Sequence, residues 1–147
     1  MDRYAYVLNI IEIAHKSAQE LPTACAQLNG YKEAHQRLVN TYGRERVSSS
    51  PNNSSPALDA IIRYEDGIAA LERQIEEYNR AQEKIKPFIA IIKNRSYAQI
   101  LEMYCFLGWS HAKIARSLNR SLSTVRRKYT NIVQIIAQET TKKEAGA

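Results

Sequence analysis

Along most of this chain, apolar residues recur at steps of three and four, the spacing of a helix with one buried face. Over residues 1–42 they fall at Tyr4, Leu8, Ile11, Ala14, Ala18 and Leu21, then Cys25 and Leu28, and become ragged afterwards. Pro22 lies inside this stretch, and proline lacks an N–H and crowds the preceding turn. The spacing therefore predicts either two helices broken near Leu21–Pro22 or one kinked helix, stopped at Gly43. Residues 43–56, which include RERVSSSPNNSSP, are polar and punctuated by proline. Such a segment buries too little apolar surface to offset its ordering entropy, so it is expected to be a flexible loop. Residues 57–86 carry the longest regular pattern: Ile61, Tyr64, Ile68, Leu71, Ile75, Tyr78, Gln82 and Ile85 alternate steps of three and four. That is a heptad seam over about four heptads. Its partner is either the N-terminal helix folding back as an antiparallel pair or a second copy of the chain, and the two are compatible.

Beyond the seam the elements shorten. Pro87 is expected to open a short helix, PFIAIIKN, as its first residue. Ser96 is the expected cap of the next helix, Tyr97 to Leu107, with Ile100, Leu101, Tyr104 and Cys105 facing inward. Gly108-Trp109 then leads to Ser110, which caps a helix to Leu118 that buries Ile114, Ala115 and Leu118. Asn119 suits the end of that helix because it tolerates the left-handed conformation. Ser121 caps a further helix whose inner face is Val125, Tyr129, Ile132 and Ile136. His111 and Trp109 are expected to be packing residues of this region. A helix, a short turn with a left-handed residue and a second helix with a buried valine form a helix-turn-helix pattern. The expected fold is all-α. A long antiparallel, coiled-coil-like N-terminal part precedes a C-terminal helix-turn-helix domain. The expected segments are 1–42, 43–56, 57–86, 87–138 for the helix-turn-helix domain, and a disordered tail at 139–147.

Composition changes this picture little, but charge changes it much. The chain has 147 residues, 44% hydrophobic and 24% charged, with a formal charge of +6. Residues 1–92 carry 11 Lys/Arg and 12 Asp/Glu, whereas residues 93–147 carry 10 and 3, a local net of +7. A basic end on a near-neutral body points to a polyanion partner for that end. The longest apolar run, Phe88 to Ile92, is far too short to cross a bilayer, so no membrane partner is expected. Asp2, Asn9 and Glu12 fall where a signal peptide needs an apolar core, so the expected location is the cytoplasm. Cys25 and Cys105 stand apart, without the spacing of metal ligands, and read as reduced thiols. His15, His35 and His111 are scattered, and no phosphate loop or nucleophile elbow appears. No enzyme, no metal site and no cofactor is expected.

Helical spacing also selects candidate DNA-contacting residues. At about 100° per residue, Ser123, Thr124, Arg127 and Asn131 point opposite Val125 and Tyr129. Short Ser and Thr side chains let the helix approach the major groove. Arg127 can donate two bonds to guanine O6 and N7, and Asn131 can pair with adenine or reach the backbone. Lys113, Arg116, Arg120, Ser121, Arg126 and Lys128 flank this face and suit phosphates.

From Tyr97 onward, YAQILEMYCFLGWSHAKIARSLNRSLSTVRRKY resembles the region-4 helix-turn-helix of bacterial sigma-70-type factors. The remainder resembles small phage transcriptional regulators of the ArpU and RinA-like group. These share an N-terminal helical segment, a loop with an E-R-V-x-S-S motif and a long charged helix before the DNA-binding end. The motif here is Glu45-Arg46-Val47-Ser48-Ser49-Ser50, for which residue chemistry gives no account. The resemblance places the family's DNA-reading residues on Leu122, Ser123, Thr124, Arg126 and Arg127. The chain departs from it at Asn119, where glycine is usual, and at His111, where an aromatic is usual. The resemblance implies a sequence-specific, double-stranded DNA-binding transcriptional regulator. Such a protein activates phage late or packaging genes and contacts RNA polymerase in a bacterial host cytoplasm. A homodimer through the N-terminal helices fits this plan. The alternative is a DNA-packaging, small terminase-like protein that uses the same helix-turn-helix.

Overall fold

The computed structural model describes residues 2–42 and 56–146. Among them are five helices and no strand: α1 (Arg3–Tyr42), α2 (Pro56–Ile91), α3 (Arg95–Cys105), α4 (His111–Leu118) and α5 (Leu122–Ala145). The all-α architecture is as expected, with two long helices preceding three shorter ones. The Glu45–Ser50 motif, and the predicted loop up to Ser55, lie outside the described residues.

Several boundaries differ from the sequence reading, for identifiable reasons. Of the two alternatives at Pro22 the single helix holds: α1 runs through it as one helix of 40 residues. Its missing N–H leaves one unmade helical bond, to Ala18, while buried Ala18 and Ala24 on either side keep the helix packed. Pro87 is likewise internal to α2 and does not start a helix. A proline inside a helix costs about 3 kcal/mol. Burial of Ile85, Phe88 and Ile92 around it offsets that cost. The expected boundary at residue 86 therefore disappears, and α2 begins at Pro56, a residue whose fixed φ suits a first helical position. Asn94, not Ser96, caps α3: its side chain accepts from the N–H groups of Ser96 and Tyr97 at 2.9 and 3.3 Å. The expected disordered tail from 139 is helical as far as Ala145. Buried Ile136 and Ala137 carry α5 past that point. The Thr140 and Thr141 hydroxyls donate back to the Ile136 and Ala137 carbonyls at 2.8 and 2.7 Å. Glu144 also pairs with Arg3 of α1.

The chain divides into two compact units. One comprises residues 21–76, an antiparallel hairpin of the second half of α1 and the first half of α2. Its register shows in Tyr31 against Tyr64, ring centroids 5.5 Å apart, and in His35 beside Glu65 at 3.1 Å. A Cβ at Gly67 would lie 2.8 Å from the Tyr31 ring, so glycine lets that ring sit against α2.

The other unit comprises residues 1–20 and 77–147. Its core joins Val7, Ile11 and Ala14 of α1, Ile85 and Phe88 of α2, and the inner faces of α3, α4 and α5. Ile100, Leu101, Tyr104 and Cys105 are buried, as their spacing predicted, and so are Ile114, Ala115, Val125, Tyr129, Ile132 and Ile136. Leu118 is half-buried at the rim of this core instead of inside it. Gly108 has φ +70°, and a Cβ there would fall 2.8 Å from the Gln19 backbone nitrogen. The loop before α4 therefore lies directly on α1.

Candidate nucleic-acid interface

The site is built from two caps and one turn. Ser110 caps α4 by accepting from the Lys113 N–H at 3.2 Å. Asn119 ends α4 in the left-handed conformation, φ 57° and ψ 44°. The Arg120 N–H then reaches the Ala115 carbonyl at 2.9 Å and the Asn119 N–H reaches that of Arg116 at 3.3 Å. These two bonds satisfy carbonyls that the helix end would otherwise orphan. Asparagine thus does the work for which glycine is more usual. Ser121 starts α5 by accepting from the Thr124 N–H at 3.2 Å. Its hydroxyl also lies 2.7 Å from that of Thr124, which fixes the Thr124 rotamer at the helix tip.

The outer face of α5 is open. Ser123 and Arg127 are exposed, and Thr124 is half-exposed behind its bond to Ser121. Asn131 is different: it is half-buried, and its amide donates to the Tyr97 hydroxyl at 3.4 Å. Among the flanking cations, Lys113, Arg116, Arg120 and Arg126 are exposed, with Ser121, while Lys128 is half-buried. The Lys113 ammonium sits 4.6 Å from the centre of the Trp109 ring, which holds Trp109 at the edge of the domain. Leu122 is half-buried.

Behind this face lies a polar cluster that spacing alone did not single out. Glu12 of α1 accepts from the hydroxyls of Tyr104 and Tyr129. His15 stacks flat on Tyr104, centroids 3.7 Å apart, with its Nδ1 2.9 Å from the Tyr104 carbonyl oxygen. His111 leans on both tyrosines, at 4.8 and 4.7 Å, and its Nε2 is buried without a hydrogen-bond partner. Burial pushes the His111 pKa down, with His15 and Arg126 adding to the effect and Glu12 opposing it. An imidazole kept neutral is the form least costly to leave unpaired. Burial and the Glu12 carboxylate push the Tyr104 and Tyr129 phenols up, and burial does the same for the Cys105 thiol. A cavity of about 270 Å³ opens beside the cluster, bordered by His15, Ser110, His111, Leu122 and Arg126 among others. The available signal was Glu12 and His15 sitting one helical turn from Leu8 and Ile11, polar residues at the margin of an apolar stripe. Both cysteines are free, and no group among the described residues has the composition of a metal site.

Among the described residues no helix is long and apolar enough to cross a membrane. Neither curated proteins nor solved structures give a match. Residues 94–134, from the α3 cap to the middle of α5, match the family model for sigma-70, region 4. The C-terminal end of this chain therefore carries a sigma-70 region 4-like helix-turn-helix, a DNA-binding and transcription-related domain.

Proposed function

We propose that the chain is a sequence-specific regulator of transcription that binds double-stranded DNA, activates late or packaging genes of a phage, and contacts bacterial RNA polymerase in the host cytoplasm. The observation that carries this reading is the outer face of α5, with Ser123 and Arg127 exposed and Thr124 half-exposed, after a turn closed by left-handed Asn119. In it, α5 enters the major groove and Arg127 reads a guanine through O6 and N7. Ser123 and Thr124 meet neighbouring base edges. Asn131 joins them on leaving Tyr97, or stays as the brace between α5 and α3. Lys113, Arg116, Arg120, Ser121, Arg126 and Lys128 take phosphates and set the register. Residues 87–138 are the part that engages DNA.

The N-terminal helices serve a homodimer in this reading. Val39, Tyr42, Leu58 and Ile62 of the hairpin are exposed large apolar residues, the kind of surface that a second copy covers. Two copies would read two half-sites.

Selection from a random pool of duplexes tests the proposal. The wild-type chain is expected to enrich one sequence motif and to protect it in a footprint. Failure to enrich any motif contradicts sequence-specific reading. Light scattering in the same buffer separates a regulator from a packaging protein: a monomer or dimer supports the first, a large ring the second.

A further inference from the structure

The DNA-reading helix is held on its inner side by a carboxylate that belongs to α1. Both oxygens of half-buried Glu12 are occupied. Oε1 accepts from the Tyr104 hydroxyl at 2.9 Å and from the Tyr129 hydroxyl at 2.5 Å, and Oε2 accepts from Tyr104 at 3.0 Å. Tyr104 belongs to α3 and Tyr129 to α5, so one side chain joins three helices. The junction is braced around it. His15 covers the Tyr104 ring, the Cys105 thiol points to the Ile11 carbonyl at 3.9 Å, and Gly108 lies against the α1 backbone at Ala18.

Packing alone does not require a carboxylate here. A leucine at residue 12 facing phenylalanines at 104 and 129 would fill the same space with no polar group to satisfy, and exchanging a whole buried polar set in this way is often neutral. What the carboxylate adds is direction. Charge-assisted bonds to two phenols fix the hydroxyl positions, and with them the rotation of α5 about its own axis. Arg126, Arg127 and Lys128 immediately precede Tyr129 on that helix. A rotation that released the Tyr129 hydroxyl would sweep all three across the DNA. Productive recognition geometry tolerates only about 0.5 Å and 10–20° of error.

We infer that Glu12 is a positioning residue for DNA reading: acting through the Tyr129 hydroxyl, it sets the rotation at which Arg127 and its neighbours meet the bases. This rests on the function proposed above. It also makes the first half of α1 part of the reading unit, in addition to any role in pairing two copies.

The test uses the full chain and two probes: the duplex that the wild-type chain selects from a random pool, and a scrambled duplex of equal length. Glu12→Gln keeps the shape and one acceptor oxygen but removes the charge. Its expected effect is a loss on the order of tenfold in the ratio of the two affinities, the loss that one misread base pair brings. Helicity and scrambled-duplex affinity stay near wild type. Tyr129→Phe leaves the ring in the core, removes only the hydroxyl, and is expected to lose the same discrimination. The double variant is expected to be no worse than Glu12→Gln alone, because that change already weakens the bond to the Tyr129 hydroxyl. Wild-type discrimination in either single variant overturns the inference, as do losses that add in the double variant. If the wild-type chain itself does not discriminate, the underlying reading falls and the inference falls with it.

Discussion

In the hairpin of residues 21–76, Ala24 and Leu71 are buried, while Leu28, Tyr31, Leu38, Ile61, Tyr64 and Ile68 along the same faces stay half-exposed. In the unit that carries the helix-turn-helix, Ile11, Ile85, Ile100, Leu101, Ile114, Ile132 and Ile136 are closed off from water. Both regions have good helical periodicity, so periodicity does not account for the contrast. Two helices leave most seam residues open on one side, whereas α3, α4 and α5 with parts of α1 and α2 surround theirs. An amphipathic stripe becomes a core only where a third element closes over it. Where none does, the stripe remains a surface available to a partner.

The contrast is most easily broken by truncating one leucine on each side. Leu101→Ala is expected to cost about 2–5 kcal/mol, since its surroundings are fixed by several helices. Leu71→Ala is expected to cost roughly half as much, because its neighbours can relax into the space. Urea unfolding of the two variants checks this, and equal losses would mean that the hairpin is as closely packed as the other unit. A smaller effect concerns the charged rim. Arg126→Ala or Lys128→Ala should weaken selected and scrambled duplexes alike and reduce the salt slope by about one. No such change is expected from Arg63→Ala in the hairpin. A salt titration of binding distinguishes the two regions in this respect.

The smallest expected effect is on pH dependence. The His111 pKa is lowered in the folded chain, so the unfolded chain binds more protons as pH falls below about 6.5. Stability is then complete above that pH and declines below it, until the folded-state value is passed. At the alkaline end the raised Tyr104, Tyr129 and Cys105 values give the opposite slope. Stability is expected to fall once pH exceeds the ordinary thiol value near 8.5 and the phenol value near 10. Denaturation curves across pH check both limbs. His111→Phe should flatten the acid limb alone; an unchanged acid limb in that variant would assign it to another group.

Much of the C-terminal architecture was legible because caps and turns are local. Ser110, Asn119 and Ser121 declare their roles within three or four residues, and the inner face of α5 follows from spacing. Pro22 left a break or a single helix open, and Pro87 misled, for the opposite reason. Whether a helix continues through Pro22 or Pro87 is decided by burial of Ala18, Ala24, Ile85 and Phe88 against other segments, which no local rule contains. The tail beyond residue 139 was misjudged similarly, since Ile136 and Ala137 extend α5 through contacts distant in sequence. Asn131 fits the outer face by angle, yet its amide turns toward Tyr97, a contact 34 residues away. The Glu12 cluster was the least visible of all. It joins α1 to tyrosines 92 and 117 residues downstream, and helical periodicity contains no information about such pairings.

If the outer face of α5 reads base edges, an Arg127→Ala variant must select a different sequence from the wild-type chain. The expected result is a motif that has lost its preference at one position, with affinity for the wild-type motif lower by about 1–3 kcal/mol. An unchanged motif bound at wild-type affinity would mean that Arg127 and the outer face of α5 do not read the bases.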